Sequence, residues 1–257
     1  MMQACLNGTR GAGDGAVVPR TPAELAEAAE RAVAAGATDL HVHPRTPCGH
    51  DSLSPRVVGP ALEAIRARVT VPVGVTTGAW AEPEPAARVA RIRSWTVLPD
   101  HASVNWHEPG AEEVAAALLG LGVGVEAGVW SGTDGAARLA RSPLAPKVLR
   151  VLAEVMDPDP GTAEDTARAL LAELGASPGH TRPGDGTGGP RAHGRPVLLH
   201  GEDGGAWPVL RLAGRLGLAT RIGLEDTLLL PDGRPADSNA QLVEEALYQY
   251  GCAQRSS

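Results

Sequence analysis

Three short strings hold residues that could do chemistry: HVHPR at 41–45, VTTG at 75–78 and RIGLED at 221–226. In HVHPR, His41 and His43 are two apart. On an extended strand, residues i and i+2 point to the same side, so two imidazoles enter one space. Two neutral imidazoles suit zinc or a similar divalent ion. The competing reading is a pair of core histidines bonded to backbone, with Pro44 turning the chain out of the strand. Arg45 is then left to meet a substrate carboxylate or a neighbouring acid. Glu225 offers a third ligand if the strand that carries it lies near HVHPR, and two His plus one carboxylate leave positions open for a substrate oxygen. Arg221, Glu225 and Asp226 form a charged run. With Glu225 on a metal and Asp226 paired to Arg221, Asp226 is an ionised base beside a Lewis acid. The plainer alternative is an acidic pair on a surface loop. Thr76, Thr77 and Gly78 can offer hydroxyls and N–H groups to a carboxylate or enolate oxygen, although threonine pairs are common in strands.

These strings need elements that bring them together. Short apolar runs alternate along the chain with amphipathic runs rich in Ala, Leu, Glu and Arg. The expected strands are 3–7, 38–43, 71–77, 101–105, 123–128, 147–155, 195–201 and 218–225, each followed by an expected helix. Thr21, Pro22 and Glu24 have the spacing of a capping box at the first helix, and Ser54 with Pro55 repeats that logic at the second. Strict strand–helix alternation implies parallel strands, and eight such units in 257 residues predict an α/β fold, a single-domain (β/α)8 TIM barrel over 1–257. A doubly wound open sheet is the rival architecture; no GxGxxG follows the first strand. The Gly/Pro-rich stretch 177–194 is expected to be a flexible loop on the face opposite the site, with His180 and His193 exposed.

In a barrel, chemistry sits where strands end and βα loops begin. The expected ends carry Asn7, Gly8, Thr9 and Arg10; His41, His43 and Arg45; Thr76, Thr77 and Gly78; Ser103 and Asn105; Glu126; Glu154; His200 and Glu202; and Arg221, Glu225 and Asp226. Candidate metal ligands are therefore His41, His43 and Glu225. Candidate catalytic residues are Asp226, Arg221, Thr76 and Glu126, the last as an acid/base or a clamp on a substrate amine. Candidate substrate-binding residues are Asn7, Arg10, Thr77, Gly78, Ser103 and Asn105. His50, His107 and Cys48 lie in βα loops without a spacing that marks them as ligands.

Composition narrows the classes of function. The net charge is −7 and no basic run is present, which argues against nucleic acid as a partner. Phe is absent, so Ala, Val and Leu must build the core. Three cysteines without a CxxC pair do not form a disulfide framework, and no apolar run reaches membrane-span length; a cytoplasmic protein is the expectation.

Taken together, LNGTR (6–10), GATDLHVHPRTPCGHDSL (36–53), VPVGVTTGAW (71–80), DHASVN (100–105), GVGVEAGVW (122–130) and TRIGLEDTLLLPDGRPADSNAQLVEEA (220–246) resemble the β-keto acid cleavage enzyme family, typified by 3-keto-5-aminohexanoate cleavage enzyme. The resemblance implies a TIM barrel with a divalent metal, usually zinc, on His41, His43 and Glu225. It also implies a retro-Claisen-type reaction, in which a β-keto acid and acetyl-CoA give acetoacetate and a new acyl-CoA. Asp226 with Arg221 would activate the keto group, and Thr76 stands where a serine often contacts substrate. Arg10 stands where the aminohexanoate enzyme has a glutamate for the substrate amine, so a cationic substrate is disfavoured. Family members are often homo-oligomers, so a dimer or tetramer is expected. The alternatives are another zinc-dependent barrel enzyme, such as an amidohydrolase-like hydrolase or an aldolase, and a degenerate non-catalytic barrel. Amidohydrolase-like enzymes usually carry HxH on the first strand and add later histidines; here HxH is on the second, and only His200 ends a later strand.

Overall fold

The computed structural model describes residues 1–14, 18–176 and 190–255. Its elements run β1 (Met2–Cys5), α1 (Pro22–Ala34), β2 (Asp39–Val42), α2 (Pro55–Arg66), β3 (Val73–Thr76), α3 (Pro85–Arg93), β4 (His101–Asn105) and α4 (Ala111–Gly120). They continue as β5 (Gly124–Trp130), α5 (Gly135–Arg141), β6 (Arg150–Val155), α6 (Ala163–Glu173), β7 (Arg191–Ala192), β8 (Arg195–Gly201), α7 (Ala206–Leu216), β9 (Thr220–Ile222) and α8 (Asn239–Arg255). The capping box opens α1 as its spacing predicts: Glu24 N–H donates to Thr21 Oγ1 at 3.2 Å and Thr21 N–H donates to Glu24 Oε2 at 3.0 Å. Ser54 does not repeat it; its side chain makes no cap bond, and Pro55 alone starts α2.

The sheet order is β7-β8-β6-β5-β4-β3-β2-β1-β9, and every pairing except β7 with β8 is parallel. The sheet curls until β8 approaches β9, but no ladder joins them. That seam is one parallel bridge, Leu198 to Ala219, with Leu199 N–H donating to Ala219 O at 2.9 Å. The eight-unit α/β alternation expected from sequence is present, with a curled sheet that is open at this seam rather than laddered all round.

The stretch expected to be irregular over 177–194 is ordered at its end. Arg191–Ala192 pairs antiparallel with Arg195–Pro196, and His193 and Gly194 turn the hairpin with φ of 52° and 76°. Two consecutive positive φ values belong to a tight hairpin turn. His180 lies outside the described residues. No helix among the described residues is long and apolar enough to cross a membrane.

Alternate residues of each strand face opposite sides. One set, including Val73, Val75, Ala102, Val104, Val125, Ala127, Val151 and Ala153, joins the buried apolar core. The other set carries the polar side chains, with Leu152 as an apolar member. Arg150 donates to Glu126 Oε1 at 2.6 Å and to Asp39 Oδ2 at 3.0 Å, and Gln3 Nε2 donates to Asp39 and Glu126 at 2.8 and 3.0 Å. His101 fits between the same acids, at 2.9 Å from Asp39 and 3.1 Å from Glu126. Gly74 makes room for it, because a Cβ there would overlap the His101 ring.

Two carboxylates and two cations thus neutralise one another in a site closed to water, which satisfies charges that would be costly to bury alone. Burial by itself would depress His101, but Glu126 and Asp39 raise it to about 9. A folded-state pKa above the ordinary 6.5 means stability fully present below pH 6.5 and lost as pH rises through about 9. The contribution is on the order of 3 kcal/mol. Urea unfolding of His101→Asn is therefore expected to show a shallower loss of stability between those pH values than the parent protein; an unchanged slope would place the buried cation elsewhere.

Candidate metal centre and cleft

At the C-terminal ends of the parallel strands lies a cavity of about 550 Å³. His41, inside β2, and His43, just past it, both enter it as their spacing requires. Glu225 arrives from the turn after β9, which is shorter than the expected 218–225 strand. That turn is set by backbone contacts. Gly223 packs against the Cys5 backbone where no Cβ would fit, and Asn239 at the start of α8 accepts from Leu224 N–H and donates to Leu6 O. Gly8 has φ +53°, and a Cβ on it would overlap the Glu225 side chain, so the loop after β1 can cross above Glu225 only with glycine there.

The three side chains converge. Ligand atoms of His41, His43 and Glu225 all lie within 4.8 Å of one another. His41 Nε2 is 3.9 Å from Glu225 Oε2 and His43 Nε2 is 3.7 Å from Oε1, too long for hydrogen bonds. Ligands about 2.1 Å from a tetrahedral ion stand roughly 3.4 Å apart, so the spacing is close to that of a coordination shell. Glu225 Oε2 is buried with no hydrogen-bond partner among the described residues, an orphan that a cation satisfies. Two imidazole nitrogens and a carboxylate oxygen form a donor set for a divalent ion. The residues fit one.

The three groups sit in different electrostatic environments, and His43 must give up a proton to bind a cation. Burial holds His41 down, to about 4, so it is neutral at pH 7. Burial also opposes charge on His43, but Glu225 and Asp51 outweigh it and raise that group to about 9. Glu225 would be pushed up by burial; Arg221, His41 and His43 instead hold its carboxyl well below the usual range. Asp51 is the hub behind His43. It receives His43 Nδ1 at 2.8 Å, Trp80 Nε1 at 3.0 Å and Arg45 Nε at 3.1 Å. The Trp80 ring stacks on His43 with centroids 5.9 Å apart and planes 11° apart. Gly78 leaves the space that the indole fills.

Around this centre the cleft is lined by Thr76, Ser103, Asn105, Arg10 and Arg221, all expected from sequence, and by Glu154, Glu202, Trp80 and Trp130. Arg10, expected to bind substrate, is paired with Asp203, which neutralises its charge within the cleft. Arg45, too, is committed, to Asp51 and to Gly8 O.

Other expected site residues face elsewhere. Asn7 is buried and clasps the His43 backbone in both directions at 2.8 Å, and Thr77 Oγ1 donates to Ser103 O at 2.6 Å. Both fix loop ends and do not line the cleft, and Gly78 serves Trp80. Glu126 was expected at the end of its strand, but it lies two residues into β5, and β5 runs on to Trp130. Its carboxylate is fully buried with Arg150 and His101, away from the cleft. Asp226 is also fully buried. Arg221 donates to it from Nε at 3.0 Å and lies 2.9 Å away through Nη2, which also donates to Glu225 at 2.9 Å. Asp226 is thus paired to Arg221 as expected, but behind the arginine rather than open to the cleft. His200 stands 3.3 Å from Asp226 and 3.5 Å from Glu154, at ion-pair distance without an aligned hydrogen bond. His50, His107 and Cys48 take no part in the triad.

Residues 1–171 and 194–255 match the profile of the beta-keto acid cleavage enzyme family, BKACE. The chain belongs to this family. No curated protein matches at a significant level. Among solved structures, the ternary complex of ObcA with a C4-CoA adduct and oxalate aligns to this BKACE chain at a TM-score of 0.60 and 16% identity, covering 93% of this chain and 64% of that one. Apo ObcA aligns equally, at 0.60 and 16%, covering 93% and 62%. (S)-3-O-geranylgeranylglyceryl phosphate synthase from Thermoplasma acidophilum, in complex with sn-glycerol-1-phosphate, aligns at 0.50 and 13% over 97% of this chain and 92% of that one. At such identities these likenesses show the fold alone. The BKACE chain spans less than two thirds of the ObcA chains it matches.

Proposed function

We propose that this BKACE member is a zinc-dependent enzyme that condenses a β-keto acid with acetyl-CoA, yielding acetoacetate and a new acyl-CoA. The observation that carries the reading is the convergence of His41, His43 and Glu225 on a cleft lined by hydroxyl and amide groups, in a chain of this family. The ligands of the ObcA complex, a C4-CoA adduct and oxalate, are consistent with CoA chemistry on this fold. A divalent ion on the triad would draw electron density from a keto or carboxylate oxygen of the substrate.

The chain's own residues do the rest. Arg221 lines the cleft with Nη1 free of any protein partner among the described residues, and it would bind the substrate carboxylate. Asp226 and Glu225 hold its planar fork in place. Thr76, Ser103 and Asn105 would orient the keto acid from the ends of β3 and β4. Trp80 and Asp51 would fix the plane of His43. The curled sheet would act as a (β/α)8 barrel closed at the Leu198–Ala219 bridge.

An amidohydrolase-like site would need later histidines to join the pair, and His200 turns instead to Asp226 and Glu154. A panel of β-keto acids offered with acetyl-CoA, read by acetoacetate formation, tests the proposal. Turnover of at least one acid is expected. No acetoacetate from any of them, with zinc supplied, would sink it.

A further inference from the structure

Across the cleft from the triad, a glycine leaves two hydrogen-bond acceptors uncovered. Counting round the curled sheet through the Leu198–Ala219 bridge, β5 stands opposite β1, and the triad comes from β2 and β9 on either side of β1. The register sets Asn105, Gly128 and Leu152 side by side on β4, β5 and β6. Glu154 follows two residues after Leu152, on the same face. A Cβ on Gly128 would stand 2.7 Å from Asn105 Oδ1 and 2.7 Å from Glu154 Oε1. The two oxygens are therefore no further apart than twice that distance, above a backbone that has no side chain of its own there.

Both orientations are fixed from behind. Asn105 Nδ2 donates to Glu108 Oε1 at 2.9 Å, and a carboxylate paired with Arg88 only accepts, so the amide turns its oxygen toward Gly128. Glu154 directs Oε2 to His200, 3.5 Å away, and leaves Oε1 over the glycine. Neither Asn105 Oδ1 nor Glu154 Oε1 has a hydrogen-bond partner among the described residues. Yet both side chains line the cleft and both residues are only 5% exposed. Buried acceptors this close call for a donor.

The donor that fits is neutral. Burial and Arg221 oppose charge on His200, but Asp226 and Glu154 raise it to about 9, so Glu154 already faces a cation. A substrate ammonium would meet a carboxylate whose charge is matched, with the imidazolium beside it. A hydroxyl or a carboxamide NH2 adds hydrogens without adding charge.

We propose that Asn105 Oδ1 and Glu154 Oε1, with the space over Gly128, form a specificity subsite for β-keto acids whose side chain carries a neutral hydrogen-bond donor beyond the keto carbon. This rests on the β-keto acid reading above. With the acid's head at Arg221 and the triad, its chain would cross the cleft over Leu152, which offers an apolar surface to the methylene carbons. An acid without the donor would leave a carboxylate oxygen and an amide oxygen unpaired, which is how a polar site rejects an apolar analogue.

The test is calorimetric binding to the zinc-supplied full chain, without acetyl-CoA so that no turnover intervenes. The ligands are 3-ketohexanoate, its 5-hydroxy, 6-hydroxy and 5-amino derivatives, and the 6-amide of 3-ketoadipate. The hydroxy acids and the amide separate the two kinds of neutral donor, and at least one of them is expected to bind about 10- to 100-fold tighter than 3-ketohexanoate and the 5-amino acid. Gly128→Ala, which fills the gap, and Glu154→Gln, which removes the charged acceptor, should each abolish most of that preference. Equal parent affinity for 3-ketohexanoate and the neutral donors, or tightest binding of the 5-amino acid, would overturn the subsite while the β-keto acid reading stood on its acetoacetate assay. A preference unchanged in both variants would also overturn it, by placing the donor elsewhere. Binding of none of the five acids would defeat the subsite and the reading together.

Discussion

Replacing Arg221 with Met is expected to abolish turnover and to lower the free energy of unfolding by about 3–5 kcal/mol. The reason is charge balance. Arg221 is the shared partner of Asp226, which is fully buried, and of Glu225, which is nearly so. Methionine fills similar space but leaves two adjacent carboxylates facing each other, with His200 beside Asp226 and His43 beside Glu225 as the remaining cations among the described residues. Removing one partner of a buried ion pair costs far more than the pair contributes when intact. Set against the 5–15 kcal/mol typical of a whole domain, such a loss is large. Urea unfolding of the variant measures it.

Arg221→Met with Asp226→Asn should recover part of the stability and none of the activity, because the cation lining the cleft stays absent. Asp226→Asn alone should keep zinc and lose turnover by about 100-fold, the scale of a small misplacement of a positioned group. A stability change under about 1 kcal/mol in Arg221→Met would mean that water or another cation reaches Asp226, against its complete burial.

The triad was legible in the sequence because its signal is local. HVH has a period-two spacing that a strand converts directly into convergence, and alternation along the chain set the strand order that brings β1, β2 and β9 together. The same reasoning misplaced Glu126 because strand ends are poorly marked where β5 runs on past Gly128 through Val129 and Trp130. Counting VGVEAG as the whole strand moved an inner-layer residue to the rim. Asp51 and Trp80 escaped for another reason. Their roles depend on a small hairpin, Arg45 bridged to Asp51, that folds the loop after β2 back on itself, and on Gly78 opening space for an indole. Neither contact has a sequence period.

The other large effect is expected at the metal. Protein as purified should hold about one divalent ion per chain, and His41→Ala should lose it. His41 is the ligand to remove first because its side chain has no hydrogen bond that would distort a neighbour when lost; its Nδ1 has no partner among the described residues. It is also kept neutral by burial, so it needs no deprotonation to bind a cation. Removing it leaves one imidazole and one carboxylate, fewer than the three protein ligands a catalytic zinc usually holds.

The readout need not be activity. Zinc at a thousand times its dissociation constant should stabilise the parent protein by about 4 kcal/mol and His41→Ala by little or nothing. Asp51→Asn gives the graded comparison. It keeps all three ligands but weakens the acceptor that orients His43, so zinc affinity should fall 10–100-fold without vanishing. Because Trp80 stacks on His43 and donates to Asp51, its fluorescence should change as zinc is titrated in, and Trp80→Leu should remove that signal. Zinc binding by His41→Ala at parent affinity would show that the ion sits elsewhere, and the convergence of His41, His43 and Glu225 would then be a packing arrangement around a polar core.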